Sequence, residues 1–193
     1  MSKNKILLYK NIATIWISGV TASGKTTLGK LLYENLIDSG IMNVKYLDGE
    51  DLRKRQNRVF GYSAVERFEA IKEYIKVVEN ENNKGNIVII SVVSHRRETR
   101  EFARDQLINF LEINLLCSPK TCLIRDYKNV YNNIYANKNE CLPGVTEPYE
   151  ISDQAEVILD TEQNSIEESR IILLNKTLEF LNGNIGKNLI SKK

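Results

Sequence analysis

The stretch GVTASGKTT, residues 19–27, constrains the fold of this chain more than any other part of the sequence. Gly19, Gly24, Lys25 and Thr26 match the pattern G-x-x-x-x-G-K-[ST], with an apolar run before it and a helical pattern after it. The glycines allow backbone N–H groups to turn inward, and these groups form a concave anion site together with the helix N-terminus. This context predicts a phosphate-binding loop, and an ordinary glycine turn between a strand and a helix is the alternative.

The side chains of this loop indicate a nucleoside triphosphate and a metal ion. Lys25 is suited to bridge the β- and γ-phosphates, and the hydroxyl of Thr26 is suited to bind Mg²⁺. We expect the other residues of the loop to bind the nucleotide as well: Thr21, Ala22, Ser23 and Thr27.

Apolar runs typical of buried strands alternate with helical patterns along the chain. Strands are expected at 12–18, 43–48, 86–93, 110–116 and 155–160. Ser63 with Glu66 and Ser165 with Glu168 are capping boxes that open helices, and Ser118 before a proline marks another helix start. Because continuous apolar runs alternating with helices favour parallel β-α-β units, we expect a three-layer α/β/α P-loop NTPase fold with about five parallel strands.

Length and composition limit the remaining possibilities. The 193 residues are enough for one domain, and a segment without clean periodicity at about 127–150 is interpreted as a lid. The tail at 183–193 is expected to be flexible. A net charge of +2 predicts no nucleic-acid binding, and the longest apolar run, 87–93, is too short for a membrane span. Without a signal peptide and with three cysteines lacking metal spacing, we expect a cytoplasmic protein with reduced thiols.

Ligands of open parallel sheets bind at the carboxyl ends of the strands, and acidic residues lie at that predicted edge. Asp48 ends the second strand, and Glu50 and Asp51 follow it. A carboxylate there can hold a Mg²⁺-bound water or accept a proton from an attacking hydroxyl. For Glu50 and Asp51 a solvated acidic turn is the alternative.

Basic side chains are candidates for binding anions at the same edge. Arg53 and Arg67 are suited to grip a phosphate or sulfate, since guanidinium binds these groups bidentately. His95, the only histidine, follows the third strand, and Arg125 adjoins the lid, where it can stabilise a transferring phosphoryl group. A further group is a candidate anion surface, although a solvated helix face is favoured for its last three members: Arg96, Arg97, Arg100 and Arg104.

Several stretches, in colinear order from about residue 12 to 180, resemble the adenylylsulfate (APS) kinase family, which phosphorylates the 3′-hydroxyl of APS with ATP. These stretches are GVTASGKTTL, LDGEDLR, FGYSAVERFEAI, CLIRDYKNVY, PGVTEPYE and LDTEQNSIEES. The phosphate loop alone would name only a superfamily, but the later stretches in this order are more specific. The resemblance implies ATP, Mg²⁺, a small anionic nucleotide as acceptor, and a homodimer.

The resemblance also implies roles for individual residues. Asp48 would be the acid near Mg²⁺ and the 3′-hydroxyl, and Arg125 would belong to the lid over ATP. Arg53 and Arg67 would grip the phosphosulfate end and the ribose side of the acceptor. Tyr62 takes the place of a phenylalanine that stacks on the base. The segment after the third strand would line the acceptor pocket: Val93, Ser94 and His95.

Departures from the family pattern are concentrated on the acceptor side. Ala70 replaces an asparagine, His95 replaces a proline, Glu140 replaces a lysine, and Leu142 replaces a stacking aromatic residue. Base–aromatic stacking is worth about 1–3 kcal/mol per base, so the loss of one ring weakens adenine binding. The alternative acceptor is therefore another nucleotide conjugate, such as a cytidine diphosphoramidate used in surface-polysaccharide modification.

A hypothesis from another class is a nucleotide-binding regulator that switches without phosphorylating a small molecule. It predicts a switch segment and a base-reading motif, and neither Asp-x-x-Gly nor Asn-Lys-x-Asp occurs in the sequence. A degenerate, inactive family member is a further alternative, against which the presence of Lys25, Thr26 and Asp48 argues.

Overall fold

The computed structural model describes residues 12–56, 60–126, 128–131 and 141–183. Its helices and strands are β1 (Thr14–Gly19), α1 (Lys25–Asp38), β2 (Val44–Asp48), α2 (Gly49–Arg55), α3 (Ala64–Asn83), β3 (Ile87–Val92), α4 (Arg97–Gln106), β4 (Phe110–Leu116), α5 (Pro119–Arg125), β5 (Val157–Asp160) and α6 (Ile166–Leu181). Both predicted capping boxes form, at Ser63 before α3 and at Ser165 before α6. Ser118 caps α5 as expected.

The five strands form one sheet in the order β2-β3-β1-β4-β5, and every pair of neighbours is parallel. The predicted parallel sheet is therefore confirmed. The register sets Asp48 at the end of β2 beside Ser91 of β3, and Gly19 at the end of β1 beside Leu115 of β4. Since all strands run in the same direction, their carboxyl ends and the segments that follow them share one edge.

Helices cover both faces of the sheet, which gives the expected three layers. Ile15 and Ile17 of β1 face a core formed with α1 and α6, and Trp16 between them faces a second core formed with α3 and α4. Every residue of β1 is buried. Because successive side chains of a strand point to opposite faces, a continuous apolar run is what a strand buried on both faces requires.

Helix α2 is an element that the sequence pattern did not predict. Asp48 is its N-cap, and one carboxylate oxygen accepts a hydrogen bond from the backbone N–H of Glu50 at 2.9 Å. Glu50 and Asp51 lie in its first turn, and basic residues occupy its last turn. This charge order complements the helix dipole, so the acidic residues begin a helix rather than forming a turn.

Arg100 corrects the prediction of a solvated face on α4, because its side chain is only 1% exposed. Its Nε lies 3.0 Å from Oε1 of Glu112 in β4, which is also buried, and its Nη1 donates to the carbonyl of Ser94 at 2.6 Å. Arg104 contacts the same carboxylate at 3.1 Å. The charged pair therefore joins α4 to the central part of the sheet.

We expect Glu112→Ala to destabilise the fold by roughly 3 kcal/mol, because removing one partner of a buried ion pair leaves the other charge uncompensated. Urea unfolding followed by circular dichroism measures this loss. The matched control is Asp153→Ala, which breaks the exposed Arg97–Asp153 pair and is expected to cost less than about 1 kcal/mol. Equal effects of the two substitutions would show that Glu112 is solvated in solution.

The remaining expectations concern segments and composition. All three cysteines, Cys117, Cys122 and Cys141, are free thiols, as predicted. No helix within the described ranges is both long and apolar enough to span a bilayer. Most of the predicted lid, at 127 and 132–140, lies outside the described residues, as does nearly all of the predicted tail, at 184–193.

Candidate active site

A cleft of about 1020 Å³ opens at the carboxyl ends of the strands. It brings together nearly all of the predicted site residues: Thr21, Ala22, Gly24, Lys25, Thr26, Thr27, Asp48, Glu50, Arg53, Tyr62, Arg67, Val93, Ser94, His95, Arg125 and Leu142. Of the predicted set, Gly19 and Ser23 do not line it, and Ser23 is fully buried. One continuous cleft therefore contains both the loop predicted for the nucleotide and the residues predicted for the acceptor.

The loop between β1 and α1 depends on its two glycines for different reasons. Gly24, the N-cap of α1, has a φ of 94°, a left-handed conformation that glycine adopts without strain. A Cβ on Gly19 would lie 2.6 Å from Oγ of Ser23 and 2.9 Å from the carbonyl oxygen of Leu115. The loop thus packs against the end of β4, with its backbone at the N-terminus of α1, where an anion is favoured.

Lys25 lies under this loop and donates a hydrogen bond from Nζ to the carbonyl oxygen of Val20 at 2.6 Å. Burial lowers the pKa of its ammonium group from the ordinary value of 10.5 to about 8, although Cys122 and Asp48 act in the opposite direction. The ammonium group is therefore charged at neutral pH but weakly compensated. A bound polyphosphate would supply the missing negative charge.

Thr26 and Asp48 meet where the phosphate loop faces the end of β2. The Thr26 hydroxyl donates to Oδ2 of Asp48 at 2.8 Å, and the Tyr46 hydroxyl donates to the same oxygen at 3.1 Å. Burial raises the pKa of Tyr46, so its phenol stays protonated and remains a donor. Oδ2 of Asp48 thus accepts two hydrogen bonds, one of them from a residue in the first turn of α1.

This pair of oxygens fits Mg²⁺. The ion prefers hydroxyl and carboxylate oxygens, and it commonly keeps several waters and takes phosphate oxygens rather than an all-protein cage. Within the described residues no group of three or more His, Cys, Asp or Glu side chains could hold a metal. A site with one hydroxyl, one carboxylate and a polyphosphate is consistent with that finding.

Arg125 at the end of α5 lies on the far side of the phosphate loop. Its two terminal nitrogens donate to Thr161, to the hydroxyl at 3.1 Å and to the carbonyl at 2.8 Å. Thr161 follows β5, and its hydroxyl lies 3.1 Å from the carbonyl of Ser23. Thr161 lies in the stretch LDTEQNSIEES, but the sequence analysis assigned it no role of its own.

Tyr131 was also missed, and its side chain is almost fully buried beside the loop. Its hydroxyl donates to the carbonyl oxygen of Thr21 at 2.9 Å. Burial raises the pKa of Tyr131, which keeps the hydroxyl protonated. The CLIRDYKNVY stretch ends with this tyrosine. It therefore supplies both Arg125 and a hydrogen bond to the backbone of the phosphate loop.

Two arginines and an aromatic ring form the opposite wall. The guanidinium carbons of Arg53 and Arg67 lie 4.4 Å and 5.1 Å from the ring centre of Tyr62, which is 51% exposed. Arg53 donates to the carbonyls of Phe60 and Gly61, the latter at 2.5 Å, and Arg67 donates to the carbonyl of Cys141 at 2.8 Å. A guanidinium has five N–H donors, so each arginine keeps donors for an anion while it shapes this wall.

The segment after β3 supplies the floor of this half of the cleft. Ser94 is buried with a φ of 40°, an uncommon conformation for a residue with a side chain. Its hydroxyl has no hydrogen-bond partner among the described residues. His95, 4% exposed, places Nε2 at 2.8 Å from Oε2 of Glu147. Glu147 lies in the stretch PGVTEPYE, but the sequence analysis assigned it no role.

Glu50 lies at the mouth of the cleft between two lysines. Lys54 contacts its carboxylate at 3.0 Å, and Lys128 contacts the other oxygen. Hydrogen bonds from Lys128 and then Lys54 lower the pKa of Glu50, which keeps it ionised. The ion pair of Glu50 with Lys128 connects α2 to the segment after α5.

The departures from the expected pattern lie in the wall of the cleft. Ala70 and Leu142 both line it and are buried, and Leu142 packs with Val20, Cys122 and Tyr131. At 142, where the resemblance implies a stacking aromatic residue, the wall therefore has an aliphatic side chain that is almost fully buried. Glu140 lies outside the described residues.

Comparisons with known proteins point to one family. A family model described as adenylylsulphate kinase matches residues 11–160. The adenylyl-sulfate kinase of Staphylococcus carnosus is 32% identical over 157 residues, covering 80% of this chain and 78% of that protein. A probable adenylyl-sulfate kinase of Archaeoglobus fulgidus is 33% identical over 150 residues, covering 78% of this chain and 96% of that protein.

Solved structures agree with the sequence comparisons. The APS kinase of Mycobacterium tuberculosis, in complex with AMPPNP and APS, superposes with a TM-score of 0.79 and is 26% identical, covering 86% of this chain and 98% of that one. A hexameric APS kinase from Thiobacillus denitrificans is 22% identical with a TM-score of 0.67, covering 92% of this chain and 30% of that one, and supports the fold alone.

Proposed function

The chain belongs to the adenylylsulphate kinase family, and from this premise we propose that it transfers the γ-phosphoryl group of ATP to the 3′-hydroxyl of adenylyl sulfate or a closely related nucleotide conjugate. It is accordingly an ATP-dependent phosphotransferase, which argues against the switch hypothesis. The observation that carries the proposal is the 2.8 Å contact between the Thr26 hydroxyl and Asp48. It joins the phosphate loop to a carboxylate that lines the cleft at the end of β2.

On the nucleotide side, the backbone of residues 19–27 and the N-terminus of α1 would hold the phosphates. Lys25 would leave the Val20 carbonyl and neutralise the β- and γ-phosphates, and Arg125 would do the same from the side of Thr161. Thr26 and Asp48 would hold Mg²⁺, which supplies charge neutralisation at the phosphoryl oxygens. Phosphoryl transfer depends chiefly on positioning and charge stabilisation, and these are the properties that the cleft offers.

On the acceptor side, Asp48 would orient the 3′-hydroxyl and accept its proton. Arg53 and Arg67 would bind the anionic end of the acceptor with the N–H groups that their carbonyl contacts leave unused, and Tyr62 would contact its base. The burial of Arg67 supports this role, because desolvation lowers the pKa of its guanidinium and an anion would compensate the charge.

A second acceptor class has its own support in the cleft wall. Leu142 and Ala70 present small or aliphatic surfaces in place of an aromatic ring and an amide, so the wall has less stacking area for a purine. A pyrimidine nucleotide conjugate such as a cytidine diphosphoramidate is the second candidate.

Coupled measurement of ADP formation tests both acceptors. Turnover of adenylyl sulfate at low micromolar KM would support the first acceptor and exclude the second. Turnover of cytidine conjugates alone would support the second. ATP binding without turnover of any nucleotide acceptor would overturn the proposed function. We also retain the prediction of a homodimer, which sedimentation velocity measures directly.

We expect the affinity for MgATP to fall as the pH rises above 8. Because the pKa of Lys25 is lowered to about 8, the free enzyme holds a charged ammonium below that pH and loses it above. Binding then requires uptake of one proton, so the Kd is expected to rise by about tenfold per pH unit above 8 and to be flat near pH 7. Calorimetric titrations between pH 7 and 9.5 measure this dependence.

The matched control for this pH dependence is Lys25→Arg, because arginine stays charged throughout the range. Its Kd is expected to be independent of pH. Cys122 beside Lys25 does not interfere, since burial raises the pKa of its thiol to about 12. The same slope in both proteins would assign the titration to another group.

A further inference from the structure

His95 and Glu147 form a hydrogen-bonded pair in the acceptor half of the cleft that the proposed mechanism does not use. The ring nitrogen Nε2 lies 2.8 Å from Oε2 of the carboxylate. Burial alone would raise the pKa of Glu147, but hydrogen bonds from Cys141 and His95 outweigh it and leave the pKa lowered. The carboxylate is therefore ionised at neutral pH and can only accept a hydrogen bond.

The chemistry of this pair determines which ring nitrogen carries the proton. Burial, with the nearby charge of Arg67, lowers the pKa of His95, so its imidazole is neutral at pH 7. A neutral imidazole has one N–H, and an acceptor-only partner at Nε2 requires that N–H to lie there. Nδ1 consequently bears a lone pair, and no residue in the described part of the chain donates to it.

Ser94, which precedes His95 in the sequence, contributes a second polar atom without a partner. The hydroxyl of Ser94 is buried, lines the same cleft and has no hydrogen-bond partner within the described ranges. Buried polar groups are almost always paired, so a buried hydroxyl at a cleft that makes no hydrogen bond to these residues is available to a ligand. Arg67, whose charge acts on His95, adds a cation to the same group.

We propose that His95, oriented by Glu147, is a specificity-determining residue that accepts a hydrogen bond from the terminal group of the acceptor nucleotide. This inference rests on the proposed function, in which Arg67 binds that terminal group. The preferred acceptor then carries an N–H or O–H donor beside its anionic oxygens. A terminal sulfate has oxygens that only accept, so it would place a lone pair against the lone pair of Nδ1.

Such a site discriminates because the wrong ligand leaves the lone pair of Nδ1 without a donor. We expect a preference of about tenfold or more in kcat/KM for a terminal group with a donor over one without. The preference should appear in KM rather than in kcat, since the contact lies away from the transferring phosphoryl group.

A matched pair of acceptors isolates this single contact. Adenylyl sulfate and adenosine 5′-diphosphoramidate have the same base, sugar and net charge, and the second carries an NH₂ where the first carries a sulfate oxygen. The corresponding cytidine pair makes the comparison independent of the base. Initial rates with MgATP give kcat and KM for each acceptor, and calorimetric titration in the presence of a non-hydrolysable ATP analogue gives each Kd.

Variants assign the preference to the His95–Glu147 pair. His95→Phe keeps a planar ring but has no acceptor, and it is expected to reduce the ratio of kcat/KM between amidate and sulfate to near unity. His95→Asn retains an acceptor oxygen near Nδ1 and should restore part of the ratio. Glu147→Gln no longer dictates the tautomer, because its amide both donates and accepts, so an intermediate ratio is expected.

Arg97→Ala is the matched control, and it tests whether loosening the 147–153 segment is by itself enough to change the acceptor ratio. Arg97 contacts Ile151 and Asp153, so its loss loosens the 147–153 segment without touching the His95–Glu147 contact. The acceptor ratio of this variant should equal that of the wild type. An equal ratio in wild type and His95→Phe, or an equal loss for both acceptors, would overturn the inference.

The design separates failure of this inference from failure of the proposed function. If no acceptor is phosphorylated but the donor-bearing member of each pair binds more tightly in a His95-dependent manner, the proposed function fails and the inference stands. If adenylyl sulfate is phosphorylated efficiently and the amidate offers no advantage, the proposed function stands and the inference fails.

Discussion

Lys25→Ala is expected to lower kcat by roughly a thousandfold, because phosphoryl transfer depends on charge neutralisation at the β- and γ-phosphates. The fold should survive the change. Lys25, which is half-buried, makes one hydrogen bond, to the carbonyl of Val20, and desolvation lowers the pKa of its ammonium group in the free protein. Steady-state ADP formation with saturating acceptor measures the loss, and thermal unfolding verifies that the variant is folded.

Lys30→Ala is the matched control, since this exposed lysine lies on the same helix and does not line the cleft. Its kcat should equal that of the wild type. If Lys25→Ala turned over normally, the loop between β1 and α1 would be a structural turn, and the assignment of the nucleotide half of the cleft would be wrong.

Asp48→Asn is expected to lower kcat by about a hundredfold to ten-thousandfold, the range over which a positioned proton acceptor contributes. Asparagine suits this position structurally, because it is also a good N-cap and can accept the hydrogen bond from the N–H of Glu50. The substitution therefore removes the charge at Thr26 while α2 is preserved. Pre-steady-state quench experiments distinguish loss of the transfer step from slow product release.

The control for this variant is Asp51→Asn, in the first turn of the same helix. Asp51 is exposed, makes only a weak contact at 3.9 Å with Lys54 and does not line the cleft. A small change is expected. Equal activities of the two variants would show that the carboxylate of Asp48 acts only as a helix cap.

The parts of the fold that the sequence predicts are those with local causes. The capping boxes at Ser63 and Ser165 form because each needs only residues three apart, and β4 begins and ends at the predicted residues because its apolar run has clear limits. The phosphate loop belongs in part to the same class, since Gly24 meets a local requirement for a left-handed backbone, whereas Gly19 also avoids the distant carbonyl of Leu115. These features can be identified without knowing which elements pack together.

The features that escaped prediction depend on distant partners. Arg100 has the composition of a solvated helix residue, and only the position of Glu112 on β4 explains its burial. Tyr131 supports the carbonyl of Thr21 across 110 residues of sequence, and Glu147 reaches His95 across 52. Helix α2 was missed because its seven residues lack an apolar period, and its stability comes from capping and charge order.

The hydroxyl of Thr161 forms hydrogen bonds that connect the two flanks of the phosphate loop. It has a single proton, yet two carbonyls compete for it, Ser23 at 3.1 Å and Leu116 at 3.2 Å, while Arg125 occupies its lone pair. Withdrawal of the guanidinium by an incoming triphosphate would alter that competition directly behind the loop. The side chain that follows the last strand thus links Arg125 on one flank of the loop to the backbone of Ser23 on the other.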